Sequence, residues 1–226
     1  VEDITSICGG LNINIGTLNK NTIPSMFLAG KKANALGHIV LLDPVGAGAS
    51  RLRTDTANRL MQEVRFDAVR GNISEIKTLC TGSGSTKGVD ADAVDAVTEA
   101  NLDNGVQLVK TFAAQTGCII AVTGAIDLVS DGERCWCIRN GRAEMSRITG
   151  TGCQLSALMT AFLVANPDRK LDAAAAAVCM MGLAGEIGWA NMQPGDGNST
   201  YRNRIIDAIF NMTGDALEEG AKYELR

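Results

Sequence analysis

The run HIVLLDP, from His38 to Pro44, limits what this chain can fold into more than any other stretch. His38 to Leu42 reads as a continuous apolar run, not an alternating one, so the strand it predicts needs cover on both faces. Parallel sheets packed between helices provide that cover. Asp43-Pro44 stops the strand where, in an open α/β sheet, the ligand-facing loop begins, and Gly46 and Gly48 keep that loop open to close approach. Cys118 to Val122 predicts a second strand of the same buried kind, with Thr123-Gly124 as the loop at its carboxyl end.

Between and around these runs the pattern alternates strand and helix. Leu11, Ile13 and Ile15 alternate with asparagines in a predicted first strand within Ile7 to Leu18. A helix is expected from Thr22 to Leu36, with Thr22 as its cap and Gly37 after its end, and another from Thr54 to Arg65, capped by Thr54. A short strand from Phe66 to Val69 leads into Asn72, which can cap a helix whose first turn holds Ser74 and Glu75. Asp90 to Gln115 reads as helical with a break at Asp103-Asn104-Gly105. Asp127 to Ser130 and Glu133 to Arg139 form a hairpin about Asp131-Gly132, and helices follow behind the glycine turn at Gly150 and Gly152, from Leu171 to about Asn191 and from Ser199 to Met212. The expected architecture is three-layer αβα, a mainly parallel sheet covered by helices on both faces, in one domain over residues 1–226.

Charge and cysteine usage exclude several classes of partner. A net charge of −4 without a dense Lys/Arg run argues against nucleic acid or a membrane surface, leaving small molecules. Seven cysteines, an odd number without small-domain spacing, read as reduced thiols of a cytoplasmic protein. Cys135 and Cys137 share a strand face, but His38 is the one histidine, so no Cys/His metal set results. The alanine-rich stretch from Leu171 to Gly185 is short for a membrane span and tightly flanked by charge, so it reads as a buried helix.

The chemistry-bearing feature is ITGTGCQLSALMTAF, Ile148 to Phe162. A helix that opens behind Gly150 and Gly152 presents unpaired N–H groups and the positive end of its dipole, which suits a phosphate. Cys153 stands at that mouth, where a thiol can hold or polarise a reacting group. Alone, this turn is equally an ordinary helix start, and Asn72 with Glu75 an ordinary cap. Together with Asp43 and Thr123, however, they all fall at the carboxyl ends of predicted strands, where carboxylates suit Mg²⁺. TGSGSTKG, Thr81 to Gly88, lacks the Walker spacing and reads as a loop.

LLDPVGAGA, RGNISEI, VTGAIDLVSDG and GTGCQLSA, in this order and spacing, resemble the hydroxyethylthiazole kinase family, the thiamine-salvage branch of the ribokinase-like superfamily. The resemblance implies an ATP-dependent phosphotransferase acting on the primary alcohol of 4-methyl-5-(2-hydroxyethyl)thiazole in thiamine biosynthesis, with Mg²⁺ and a homotrimer whose active sites lie between subunits. It implies that Arg70 and Thr123 contact ATP, that Asp43 and Glu75 serve the Mg²⁺ and phosphate region, and that Gly150 lies against the thiazole. Cys153 stands where other superfamily members carry an aspartate base. Family members begin with an earlier strand and helix, including an asparagine segment and a methionine of the thiazole pocket, so the numbering is expected to start inside the family's domain. The rival expectations are a kinase for a pyrimidine or sugar alcohol and a nucleotide-binding subunit without catalysis.

Overall fold

The computed structural model describes residues 1–81 and 96–226. Its sheet has seven strands in sequence order: β1 (Gly10–Asn14), β2 (Ile39–Asp43), β3 (Ala68–Asn72), β4 (Ile119–Thr123), β5 (Asp127–Ser130), β6 (Cys135–Ile138) and β7 (Tyr223–Leu225). The first four pair in parallel and the last three add antiparallel. Because parallel strands laid side by side in one direction are joined by right-handed crossovers, their connecting helices collect on one face. These are α2 (Thr22–Leu36), α3 (Arg51–Glu63), α4 (Ile73–Thr81) and α5 (Leu102–Thr116). The other face is covered only after the hairpin, by α6 (Thr151–Ala165), α7 (Lys170–Ala190) and α8 (Asn198–Asn211). A short α1 (Glu2–Ile7) precedes the sheet and α9 (Gly214–Gly220) precedes its last strand.

Two apolar cores result, one per face, and β2 feeds both: Val40 and Leu42 join the first, Ile39 and Leu41 the second. That is why its sequence is continuously apolar. By length and composition α7, with the short turn before it, could cross a membrane, and it spans the expected Leu171 to Asn191 almost to the residue. It is instead a core helix, with Ala174, Ala177, Val178 and Ala184 buried against the sheet and α8.

Local expectations are corrected at several points. The cap of α2 is not Thr22: Asn19 Oδ1, three residues earlier, accepts from the Asn21 and Thr22 N–H groups at 2.9 and 3.0 Å. Ser50, not Thr54, caps α3, accepting from the Arg53 N–H. Thr54 is taken by the preceding loop, whose Gly48 N–H it accepts at 2.8 Å. β3 runs on past Val69 to Asn72, because its ladder with β4 continues through Arg70 and Gly71. α5 passes unbroken through Gly105, which lies so close to Val97 and Leu128 that an added Cβ would be 3.2–3.3 Å from them. Residues 90–95, expected to begin that helix, and most of the TGSGSTKG loop lie outside the described residues. β7, which pairs Leu225 with Trp136, is a three-residue edge strand with no apolar run to announce it.

Candidate active site

The period of two along each strand assembles the site. Ile13 in β1 and Ile15 just after it face the first core, so Asn14 faces the opposite layer, and Asp43, Arg70 and Thr123 do the same on β2, β3 and β4. Asn14 is registered directly against Asp43, and Arg70 lies one strand from Thr123. All four project at the strands' carboxyl ends towards α6, which packs over β1 and β2.

The contacts are close. Arg70 donates from Nη2 to Thr123 Oγ1 at 2.7 Å, and its Nη1 stands 3.7 Å from Asp43 Oδ1. Asp43 is fully buried; its Oδ2 accepts from Asn14 Nδ2 and from Ser156 Oγ, both at 2.8 Å. Its Oδ1 is buried without a hydrogen-bond partner. Burial pushes the Asp43 carboxyl above its ordinary range, and Arg70, Ser156, Asn14 and Cys153 pull it part of the way back. A buried carboxylate beside a guanidinium contributes little net stability once desolvation is counted, so this pair points to chemistry rather than to folding.

α6 opens at Gly150, whose φ of 96° is left-handed and therefore suits glycine; no side chain among the described residues caps the helix there. A Cβ on Gly150 would meet nothing within 4 Å, so the mouth is open at that point. Gly152 has a different reason to be small. A Cβ there would lie 2.5 Å from Arg70 Nη1 and 2.7 Å from Nη2, so the glycine lets the guanidinium lie against the first turn. Two positive features, the helix dipole and Arg70, thereby share one anion-receiving spot. Cys153 is exposed on that turn and receives the Asn14 Nδ2 hydrogen bond at 3.1 Å.

Glu75 is brought to the same end of the sheet but is occupied by backbone. Asn72 and Glu75 form a reciprocal cap: the Glu75 N–H donates to Asn72 Oδ1, and Glu75 Oε2 accepts from the Asn72 N–H, both at 2.8 Å. Glu75 Oε1 accepts from the Gly46 N–H at 2.7 Å, tying the loop after β2 to the start of α4. Burial pushes its carboxyl up to about 7 against the pull of these N–H groups and Arg70. Three further residues escaped the sequence reading. Asn14 and Ser156 hold Asp43; Asn14 was visible only as an asparagine within an alternating strand. Asp127, at the start of β5, accepts the Gly124 N–H at 2.8 Å, and burial pushes its carboxyl to about 7. Its position in the turn after β4 was the one available signal.

An open α/β sheet whose carboxyl edge carries a helix mouth, a clamped arginine and a buried carboxylate defines a phosphotransferase of the ribokinase-like class. The chain matches the Hydroxyethylthiazole kinase family over residues 1–215 and belongs to that family. It is 56% identical over 224 residues to the hydroxyethylthiazole kinase of Clostridium acetobutylicum, covering 99% of this chain and 82% of that protein. It is 42% identical to that of Clostridium tetani, covering 98% and 80%. Among solved structures, the hydroxyethylthiazole kinase protein of Pyrococcus horikoshii OT3 superposes with a TM-score of 0.85 at 29% identity, over all of this chain and 80% of that one. The pyridoxal kinase of Staphylococcus aureus in complex with AMP-PCP and pyridoxal, at 18% identity and a TM-score of 0.60 over all of this chain and 75% of that one, shares the fold.

Proposed function

We propose that this chain transfers the γ-phosphoryl group of ATP to the primary alcohol of 4-methyl-5-(2-hydroxyethyl)thiazole, using the residues that converge at the mouth of α6. Family membership supports the reaction, and one observation supports the placement of the chemistry: Arg70, held between Thr123 and Asp43, lies against the first turn of α6 beside Cys153. Arg70 and Thr123 bind the nucleotide phosphates, and the uncapped N–H groups of α6 receive charge as it gathers on the transferring group. Gly150 leaves room for the thiazole. Cys153 orients the alcohol as its thiolate; as the alcohol oxygen forms its bond to the γ-phosphorus and the bond to the β-phosphate bridging oxygen breaks, the alcohol proton passes to the Cys153 thiolate, which becomes the thiol, and ADP leaves. Little proton removal is needed early in a loose transition state, so positioning supplies most of the rate.

Mg²⁺ fits these residues in one form. Among the described residues no set of three or more His, Cys, Asp or Glu side chains can hold a metal. A Mg²⁺ carried on nucleotide phosphates needs only one or two carboxylates, and Asp43 Oδ1, buried without a hydrogen-bond partner, offers an oxygen. Glu75 supports the same region by fixing the loop after β2. When bound, the ion would neutralise phosphate charge.

The cytoplasmic location and the homotrimer belong to the same reading; seven free cysteines agree with the first, and light scattering at three times the chain mass tests the second. The decisive assay is steady-state phosphorylation of the thiazole alcohol by the purified protein, with a pyrimidine and a sugar alcohol as competing acceptors. Turnover confined to either competitor would overturn the reading, and nucleotide binding without turnover would replace it with a non-catalytic subunit.

A further inference from the structure

The amide of Asn14 is the only side chain in the site that hydrogen-bonds to both the Asp43 carboxylate and the Cys153 sulfur among the described residues. Its orientation is fixed by chemistry. The Gly16 N–H can only donate, and it does so to Asn14 Oδ1 at 2.8 Å, so Nδ2 must be the atom on the other side. The two Nδ2 hydrogens then go to Asp43 Oδ2 at 2.8 Å and to Cys153 Sγ at 3.1 Å. One amide thus ties the ends of β1 and β2 to the first turn of α6, across 139 residues of sequence in the case of Cys153.

We propose that Asn14 is a positioning residue that sets the Cys153 sulfur and the Asp43 carboxylate in one fixed relation, so that the acceptor alcohol and the phosphoryl group meet in line. The inference rests on the kinase reading of this site. On the Asp43 side, Asn14 and the fully buried Ser156 grip the same oxygen, which stops the carboxylate from rotating and leaves Oδ1 as the oxygen without a hydrogen-bond partner. On the Cys153 side, an N–H on sulfur occupies one lone-pair direction and keeps the thiol's exposed flank turned to the open mouth. A displacement of about 1 Å between reacting groups can reduce a rate by roughly 10²-fold, so a group that sets both ends of this distance carries weight without touching substrate.

A purely structural role for Asn14 is the turn it makes through Oδ1 and Gly16, and two variants separate the roles. Asn14→Asp keeps the turn acceptor but, as two carboxyls this close share one proton, can donate to no more than one of the two partners, whereas Asn14→Ala loses everything. The measured quantity is the rate of Cys153 alkylation by iodoacetamide at pH 7.5, followed on the Cys153 peptide by mass spectrometry, because Cys8 and Cys80 are also partly accessible. Alkylation requires attack by the sulfur along a free direction, and the Asn14 N–H sets that direction, so both variants should change its rate by roughly 3- to 10-fold. In phosphorylation assays kcat should fall by roughly 10- to 100-fold while KM for ATP stays within about twofold, since Arg70 and Thr123 are untouched. Alkylation at the wild-type rate in Asn14→Asp overturns the inference, whatever the turnover. If Asn14→Ala does not fold, Asn14→Asp carries the comparison. Alkylation needs no catalysis, so the two ideas fail separately: full activity in Cys153→Ala would remove the proton-accepting role while leaving the alkylation result to judge Asn14.

Discussion

Gly152→Ala puts the Arg70 placement to a direct test. Glycine is not required there by backbone conformation, since its φ is not among the left-handed ones, so alanine fits the helix and should gain about 0.5–1 kcal/mol of helical stability. The added Cβ would stand 2.5 Å from Arg70 Nη1, 2.7 Å from Nη2 and 3.0 Å from Cζ. Ordinary contact lies near 3.5 Å, so the guanidinium must retreat by about 1 Å. Because a flexible side chain yields more easily than backbone, the fold survives and the displacement falls on function. The 2.7 Å bond to Thr123 breaks and the 3.7 Å approach to Asp43 widens. Hydrogen bonds made by charged groups are worth about 1.5–3 kcal/mol, so kcat/KM for ATP should fall by roughly 10- to 100-fold while the melting temperature holds or rises. Steady-state kinetics with ATP varied, together with thermal melts, measure both. If the glycine acts through Arg70, adding Gly152→Ala to Arg70→Ala should cost nothing further. Wild-type kcat/KM in Gly152→Ala, or full additivity in the double variant, would contradict a role for this glycine through Arg70.

Cys153→Ala should lower turnover by roughly 10²- to 10⁴-fold with the fold intact, and Cys153→Asp should retain activity, both read by phosphorylation of the thiazole alcohol. Asp43→Asn should raise the Mg²⁺ concentration needed for half-maximal rate, read by a metal titration at fixed ATP; no change would remove Asp43 from the metal region. Glu75→Gln should also lower stability by about 1–3 kcal/mol in urea melts, because an amide N–H₂ must then face either the Gly46 or the Asn72 N–H. Asp127 sets a pH dependence. Burial raises its folded-state carboxyl to about 7, so its contribution is fully present below the unfolded value near 4 and is lost as pH rises through 7. Between pH 5.5 and 8 wild type should lose on the order of 1 kcal/mol more unfolding free energy than Asp127→Asn, since water reaches part of the carboxyl, and parallel profiles for the two would contradict the assignment.

Local sequence patterns alone point to every strand but β7, to most of the helices and to the chemistry available at the carboxyl edge. Apolar runs such as that before Asp43 must be covered on both faces, a glycine pair opens α6, and Asn72 with Glu75 spells a cap, because each of these rules acts over a few residues. That Asn14, Asp43, Arg70 and Thr123 share one face emerges only with the observed strands, since β3 continues past Val69 to carry Arg70. Tertiary structure decided what lies over that face. The parallel strands wind in one direction, so right-handed crossovers leave that side bare until α6, α7 and α8 return to cover it. Only that return brings the mouth of α6 onto Arg70, gives Gly152 its clearance and closes the Asn14 bond to Cys153. Those contacts join residues tens to more than a hundred positions apart, and their distances are fixed by how side chains pack between layers, which no local pattern encodes.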